Sequence, residues 1–243
     1  MRLSSTTSGD GPRTIGLVHG LGADSGTWQP LVDLMVATGE FTVTTIDLRG
    51  HGSSDRASSY SLDEMAADVA ENLPTGLDAV IGHSLGGAVL VRAVERIAPL
   101  RAIYLDPGFH LALPTSGLKG RLFWLAPLVT LGATQLRQQR HSAKARAAYS
   151  PATRSLIADA QKRFDGSMAL GVFREVAFHP IAVAAPVVPS ALILSDEAPA
   201  VVPDALAGAL EGHGWTVRRI AGVHHDMQLE DPARTFEAIR DLL

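Results

Sequence analysis

The sequence predicts an α/β protein built on a doubly wound, mostly parallel sheet, with a helical insertion over one end of the sheet. Two observations predict the sheet: short runs rich in Val, Ile and Leu alternate with longer segments of helical periodicity, and the short runs are continuously apolar. Such strands are typical of a parallel sheet that helices cover on both faces. The third observation is a long interval, residues 111–186, that contains helical patterns and no convincing strand.

Six segments are predicted as strands because of their Val, Ile and Leu content. They lie at residues 14–20, 41–50, 78–84, 101–108, 190–196 and 215–222. Since few residues precede the first of these segments, we expect six strong strands and at most one weak edge strand.

Helical segments lie between and after these strands, at residues 27–37, 61–72, 85–98, 203–213 and 232–243. The second of them opens with Ser61 and Glu64 in the spacing of a capping box. The last two begin with proline, whose missing N–H costs nothing in the first helical turn. Strand and helix alternate as expected for a parallel sheet with crossover helices.

The interval at residues 111–186 is predicted to form a helical cap on a core made of residues 1–110 and 187–243. Its length far exceeds that of an ordinary connection in an α/β unit. Its basic residues are interpreted as a solvated helix face, and they are Arg137, Arg140, Lys144 and Arg146.

Composition excludes several classes of function. The 243 residues include no cysteine, which rules out disulfides, thiolate nucleophiles and cysteine-ligated zinc. The formal net charge of −4 and the lack of a basic block indicate that nucleic acid is not a partner. The N-terminal stretch does not resemble a signal peptide, and no apolar run reaches the ~18–20 residues of a membrane span. We therefore expect a cytoplasmic protein without a membrane span, and the sequence does not indicate its oligomeric state.

Residues 82–86, Gly-His-Ser-Leu-Gly, fit the pattern G-x-S-x-G, which is typical of a nucleophilic serine. The pattern falls between a predicted strand and a predicted helix. A serine on so sharp a turn projects its hydroxyl clear of the sheet, and the glycines allow neighbouring backbone to come close. The backbone N–H of Leu85, the next residue, points toward the same place, and the positive end of the helix dipole there favours a negatively charged oxygen. Ser84 is therefore the candidate nucleophile.

Three further segments extend this pattern over nearly the whole chain: LVHGLGADSGTW at residues 17–28, DLRGHGSSD at 47–55 and AGVHHDMQLEDP at 221–232. Together with the serine motif, they resemble the α/β-hydrolase fold in the form of a small, capped, esterase-like serine hydrolase. In that family the His-Gly loop supplies one N–H of the oxyanion hole, here that of Leu21. The residue after the nucleophile, here Leu85, supplies the other. The resemblance implies structural roles for His19 and for the 47–55 turn.

The resemblance also implies a general base. The family places a histidine five residues before a Glu-x-Pro sequence, and Glu230 and Pro232 put His225 in that position. His225 would take the proton of Ser84 and return it to the leaving group. His224 stands where the family usually has glycine, and we expect it to line the pocket.

The acid of the triad has two candidates. The family usually places it after the penultimate strand, where Asp196 is the first choice and Glu197 is the neighbouring carboxylate. Some members place it one strand earlier, where Asp106 is the alternative. The acid holds the imidazole in the correct tautomer and stabilises the imidazolium.

These residues predict a serine hydrolase, without cofactor or metal, that cleaves a carboxylic ester or lactone through an acyl-enzyme on Ser84. The substrate is expected to be a small, largely apolar acyl compound, because the predicted cap is rich in apolar residues. The residues expected to contact it are Gly20, Phe109, Trp124 and His224. Two alternatives stay open: cleavage of a C–C bond, or a lyase-like reaction, by the same triad, and a ligand-binding protein without catalysis.

Overall fold

A seven-stranded sheet forms the centre of the protein in the computed structural model, which describes residues 1–111, 113–118, 123–124, 146–197 and 201–243. The strands are β1 Ser5–Ser8, β2 Arg13–Val18, β3 Phe41–Ile46, β4 Ala79–His83, β5 Ala102–Leu105, β6 Ser190–Ser195 and β7 Thr216–Ile220. Their order across the sheet is β1-β3-β2-β4-β5-β6-β7. β1 is antiparallel to β3, and the other neighbours are parallel. The prediction of a mostly parallel sheet is confirmed, and β1 is the weak edge strand.

Helices fill the connections where the sequence predicts them. In the described residues the α-helices are α1 Gln29–Ala37, α2 Leu62–Asn72, α3 Leu85–Ile97, α4 Pro151–Lys162, α5 Ala169–Phe178, α6 Asp204–Glu211, α7 Met227–Glu230 and α8 Pro232–Ile239. The capping box of α2 is present: Ser61 Oγ accepts the Glu64 N–H, and the Glu64 carboxylate accepts the Ser61 N–H. The described helices include none with the length and apolar character that a bilayer crossing demands.

Both faces of the sheet are buried. Successive strand residues point to opposite sides of the sheet, so each strand contributes side chains to both faces. In β4, Val80 belongs to one apolar cluster, whereas Ala79 and Ile81 belong to the other. The first cluster includes residues of α2 and α3, and the second includes residues of α1 and α8. The core is therefore two apolar layers with the sheet between them.

The parallel register brings two loop residues together at one edge of the sheet. His83 of β4 pairs with Leu105 of β5, and these are the last residues of their strands. Ser84 and Asp106, the next residues, therefore lie side by side. The Ser84 N–H donates to the Leu105 carbonyl oxygen at 3.0 Å, which continues the ladder by one bond.

The predicted cap at residues 111–186 is described only in part, because residues 112, 119–122 and 125–145 lie outside the described residues. Within the described part, α4 and α5 belong to this interval, and no strand lies between β5 and β6. α4 contacts the short 3-10 helix Ser25–Trp28, which follows β2. The division of the chain into a core and a cap stays a prediction.

Candidate active site

Ser84 lies in the turn between β4 and α3, at the carboxyl edge of the sheet. Its φ of 52° and ψ of −116° lie outside the ordinary regions for an L-residue. Such strain costs about 1–3 kcal/mol and persists only where the surroundings hold it. Gly86 makes this turn possible, because a Cβ there would overlap the carbonyl oxygen of Val18. The turn therefore projects Ser84 from the sheet, as the serine motif predicts.

Ser84 is hydrogen-bonded to an imidazole from a distant part of the chain. Its Oγ lies 2.9 Å from His225 Nε2, and His225 Nδ1 lies 3.2 Å from Asp106 Oδ2. Because a carboxylate only accepts, the ring proton lies on Nδ1, and Nε2 is left to accept the Ser84 O–H. The three side chains thus have the geometry of a nucleophile, a base and an orienting acid.

The position of the acid corrects the first expectation. Among the described residues, Asp196 Oδ1 pairs with the Gly222 N–H at 2.5 Å, in an exposed position, rather than with His225. Successive residues at the end of β6 point to opposite sides of the sheet, and Ser195 is the one that points to Asp106. Asp106, the alternative, therefore occupies the acid position. The neighbouring carboxylate of Glu197 is exposed as well.

Two residues that the sequence analysis did not single out hold this arrangement. Ser195 donates its N–H and its O–H to the Asp106 carboxylate, at 3.0 and 2.5 Å. His83, buried under the turn, donates its Nε2–H to the carbonyl oxygen of His225 at 2.9 Å. Both lie at the carboxyl end of a predicted strand, which is the signal that the sequence offers for them.

The surroundings favour an ionised Asp106 beside a basic His225. Burial raises the pKa of the Asp106 carboxyl. The hydrogen bond and charge of His225, together with the hydrogen bonds from Ser195, outweigh burial and hold that pKa below its ordinary value. Burial lowers the pKa of His225, but the hydrogen bond and charge of Asp106 raise it above its ordinary value. His83 differs, because burial and the repulsion of His225 lower its pKa to about 4. His83 is therefore neutral where His225 works as a base.

A second carboxylate, Asp226, directly follows the base. Arg146 donates to Asp226 Oδ2 from Nε at 3.2 Å and from Nη2 at 2.8 Å. Ligand atoms of His83, His225 and Asp226 lie within 4.8 Å of one another, a spacing that a metal ion can bridge. Both imidazoles already have hydrogen-bond partners, so a metal ion there would compete with the contact between His225 and Ser84.

The loop after β2 lies against the nucleophile. A Cβ on Gly20 would stand 3.1 Å from Ser84 Cβ, which is a tight contact, so glycine favours this approach. The expected oxyanion donors are the N–H groups of Leu21 and Leu85. The second belongs to the first turn of α3, where an N–H has no acceptor within the helix. In the described part of the chain neither N–H donates to another residue.

His19 and Asp47 tie this loop to the turn after β3. His19 Nδ1–H donates to the Gly20 carbonyl oxygen at 2.8 Å, and His19 Nε2 accepts the Leu48 N–H at 3.0 Å. Asp47 Oδ1 accepts the Ser25 N–H at 2.7 Å. These contacts fit the structural roles expected of His19 and of this turn.

Phe109, expected to contact the substrate, is a buried residue of the apolar core. Its side chain packs with ring centroids 5.3 Å from Tyr104 and 6.0 Å from Trp215, and the residue is 2% exposed. Burial among other rings stabilises this side chain. Contact of Phe109 with a substrate stays a prediction.

The other two expected contact residues have partners of their own. His224 donates its N–H and its Nδ1–H to the Glu230 carboxylate, at 2.8 and 2.9 Å. Trp124 donates its Nε1–H to the Pro114 carbonyl oxygen at 2.8 Å and packs on Phe178. Contact of His224 or Trp124 with a substrate stays a prediction.

Sequence comparison relates the chain to known esterases. A family model described as the alpha/beta hydrolase family matches residues 17–238. A pimeloyl-(acyl-carrier protein) methyl ester esterase of Aliivibrio salmonicida is 32% identical over 117 residues, which are 46% of this chain and 43% of that protein. The chain spans less than half the length of the first curated relatives it matches.

Two solved structures share the fold at low sequence identity. A lipase-esterase related protein from Clostridium acetobutylicum aligns over 100% of both chains, with a TM-score of 0.77 and 14% identity. An N-acyl homoserine lactone degrading enzyme aligns over 99% of this chain and 96% of its own, with a TM-score of 0.70 and 20% identity. The seven-stranded sheet, the turn at Ser84 and a family match over most of the chain lead to one conclusion: the protein belongs to the α/β-hydrolase family.

Proposed function

We propose that the protein is a serine hydrolase that cleaves a carboxylic ester or lactone of a small, largely apolar substrate. The observation that carries this proposal is the continuous series of hydrogen bonds from Asp106 through His225 to Ser84 Oγ. A protein that only binds a ligand needs neither a strained serine nor a base oriented by a buried carboxylate. The geometry therefore supports catalysis over binding alone.

In the proposed reaction, His225 Nε2 takes the Ser84 proton while Ser84 Oγ forms a bond to the substrate carbonyl carbon. The carbonyl oxygen becomes an oxyanion that the N–H groups of Leu21 and Leu85 receive, and one such donor is worth about 2.7–4 kcal/mol. The carbon–oxygen bond to the leaving group then breaks, and the leaving alcohol takes the proton from Nε2. Water next gives a proton to His225 and attacks the acyl carbon, and Ser84 leaves with that proton.

The apolar character of the substrate is supported by side chains at the loop beside Ser84. Leu21 follows Gly20 in that loop, and the Phe164 ring lies 3.9 Å from the place of a Cβ on Gly22; both side chains are partly buried and pack against the apolar cluster that contains Leu85. Such side chains favour an acyl chain over a charged one, because a charge among them would lose its hydration. The relative named above acts on a methyl ester, which supports the ester class.

The proposal is tested by labelling Ser84 and by hydrolysis of simple esters. Wild-type protein and Ser84→Ala are treated with a fluorophosphonate and read by peptide mass spectrometry. Both are also assayed with p-nitrophenyl acetate, butyrate and octanoate, and with a β-diketone. We expect an adduct on the wild-type peptide that contains Ser84 and faster hydrolysis of esters than of the β-diketone. Ser84→Ala should lose both the labelling and the ester hydrolysis.

Two outcomes would overturn the proposal. Folded wild-type protein that forms no adduct and hydrolyses no ester contradicts a serine hydrolase and favours a ligand-binding protein. Wild-type protein that cleaves the β-diketone faster than any ester favours the C–C bond alternative on the same triad.

A further inference from the structure

His51, which the sequence analysis assigned only to a structural turn, contacts the loop that carries the expected oxyanion donor. Its Nε2 lies 3.1 Å from the Gly22 nitrogen and accepts that N–H, and its Nδ1 lies 3.0 Å from the Arg49 carbonyl oxygen. Because a carbonyl group only accepts, Nδ1 carries the ring proton and Nε2 is unprotonated. Gly22 directly follows Leu21 and has a φ of 70°, so the chain turns sharply at this contact.

The two peptide planes that flank Leu21 are thus held by two different imidazoles. The Leu21 N–H shares a rigid, trans peptide plane with the Gly20 carbonyl group, which accepts a hydrogen bond from His19. The following plane contains the Gly22 N–H, which His51 accepts. The Gly20 carbonyl oxygen also accepts the Ala23 N–H at 3.2 Å. Rotation about the Leu21 backbone bonds would break the contacts of one plane or of the other, so these contacts together hold the Leu21 N–H in its direction.

We propose that His51 is a positioning residue of the oxyanion hole: its neutral imidazole accepts the Gly22 N–H and thereby aims the Leu21 N–H at the substrate oxygen. The inference rests on the proposed function, because an oxyanion forms only if Ser84 attacks a carbonyl group. It goes beyond that function by giving the turn after β3 a part in the reaction.

The surroundings of His51 keep its ring in place and uncharged. The ring is fully buried, with centroids 4.9 Å from the ring of His19 on one side and 4.9 Å from that of Phe164 on the other. Residue Asp165, next to Phe164, donates its N–H to the Gly50 carbonyl oxygen at 2.8 Å. Burial, together with repulsion from His19, lowers the pKa of His51 to about 3, so the acceptor on Nε2 persists at neutral pH.

The experiment compares His51→Leu, which removes the acceptor, with His51→Gln, whose amide oxygen can replace Nε2. Tyr60→Phe is the matched control, because the Tyr60 ring lies against Gly50 of the same turn, whereas its hydroxyl donates to Asp165 at 2.7 Å and accepts the Ala57 N–H rather than a group of the oxyanion loop. Each variant is assayed for hydrolysis of p-nitrophenyl butyrate, for inhibition by an alkyl trifluoromethyl ketone and for its thermal unfolding midpoint. The ketone is chosen because Ser84 would convert it to a stable tetrahedral oxyanion.

Loss of one oxyanion donor typically lowers kcat by 10²–10³, so a misdirected donor in His51→Leu is expected to lower kcat by about 10–100-fold. We expect KM to stay within about threefold of wild type. The donor stabilises the oxyanion of the transition state more than the neutral carbonyl group of the bound ester, so its loss affects kcat more than KM. The inhibition constant of the ketone should rise by the same factor by which kcat/KM falls. His51→Gln should recover most of the loss, and Tyr60→Phe should stay within about twofold of wild type.

The outcomes separate this inference from the proposed function. Active wild-type protein together with a folded His51→Leu variant of unchanged kcat and ketone affinity overturns the role of His51 alone. A rise in KM without a fall in kcat also overturns it, since that pattern indicates packing of the loop. Wild-type protein that neither hydrolyses the ester nor labels at Ser84 contradicts the proposed function, and the role of His51 falls with it.

A measurement on wild-type protein keeps the inference testable if His51→Leu does not fold. Long-range proton–nitrogen NMR reports which imidazole nitrogen carries the proton, and His51→Gln identifies the signals. We expect a neutral ring protonated on Nδ1 at neutral pH. A ring protonated on Nε2, or on both nitrogens, cannot accept the Gly22 N–H and would overturn the proposal.

Discussion

Replacement of Asp106 by asparagine tests the assignment of the acid most directly. Asp106→Asn preserves the size of the side chain, and asparagine tolerates the φ of 38° at this position. The amide oxygen can still accept the Ser195 N–H. The amide nitrogen only donates, however, so it pairs with an unprotonated His225 Nδ1 and moves the ring proton to Nε2. That proton occupies the site that must receive the proton of Ser84.

The wrong tautomer removes the base while leaving the rest of the site in place. We expect kcat for p-nitrophenyl butyrate to fall by about 10⁴, which corresponds to about 5.4 kcal/mol of transition-state stabilisation. The pH profile should change as well. Burial lowers the pKa of His225 and Asp106 raises it, so loss of the Asp106 charge lowers this pKa. Because the base must be neutral, the acid limb of the residual kcat/KM should move to lower pH.

Asp196→Asn is the matched control, because Asp196 lies at the end of the neighbouring strand and contacts the Gly222 N–H. We expect its kcat to stay within about twofold of wild type. Steady-state hydrolysis, the rate of fluorophosphonate labelling of Ser84 and a thermal melt are measured on both variants. A folded Asp106→Asn variant with a nearly wild-type rate, or a loss of activity confined to Asp196→Asn, would refute the assignment.

Three further substitutions test features outside the triad. Arg163→Ala removes the guanidinium that lies 2.5 Å from the buried Asp24 carboxylate. Because solvent screens the half-exposed guanidinium, we expect the free energy of unfolding to fall by about 1–2 kcal/mol and the unfolding midpoint by about 3–6 °C. An unchanged midpoint would show that this ion pair contributes nothing. Gly86→Ala places a methyl group on the Val18 carbonyl oxygen and should yield no soluble protein, so a folded, active product would contradict the packing of the turn. Ser61→Ala removes the N-cap of α2 and should cost about 1 kcal/mol in urea unfolding with kcat unchanged, whereas an altered kcat would link this cap to the site.

The sequence predicted those elements whose signals are local. α2 is an example, since Ser61 and Glu64 lie within one turn of the helix they cap and form their hydrogen bonds without help from the fold. β1 shows the limit of such signals. Its residues, Ser5–Ser8, are polar and largely exposed, and it joins the sheet through its backbone pairing with β3. A sequence pattern that depends on apolar residues does not locate such a strand, and a weak edge strand was expected without a position.

The acid could not be assigned from the sequence because its identity depends on a contact across the sheet. Asp106 and Asp196 both follow strands, and spacing alone does not show which of them the His225 loop meets. The structure decides through Ser195, whose two hydrogen bonds orient the Asp106 carboxylate. The burial of Phe109 could not be predicted for a related reason, since it depends partly on Trp215, which comes from a distant part of the chain.

The distances along the chain between Ser84, Asp106 and His225 also bear on the order in which the site assembles. Ser84 and Asp106 follow neighbouring strands, whereas His225 is 141 positions from the one and 119 from the other. Closing the long intervening loop costs entropy before any contact compensates for it, so we expect the contact between His225 and Ser84 to form late in folding. On this expectation the turn at Ser84 forms before β7 joins β6 and brings the His225 loop to the edge of the sheet. We therefore expect an incompletely folded chain to carry the serine without its base, so that fluorophosphonate labelling of Ser84 begins only when the sheet is complete.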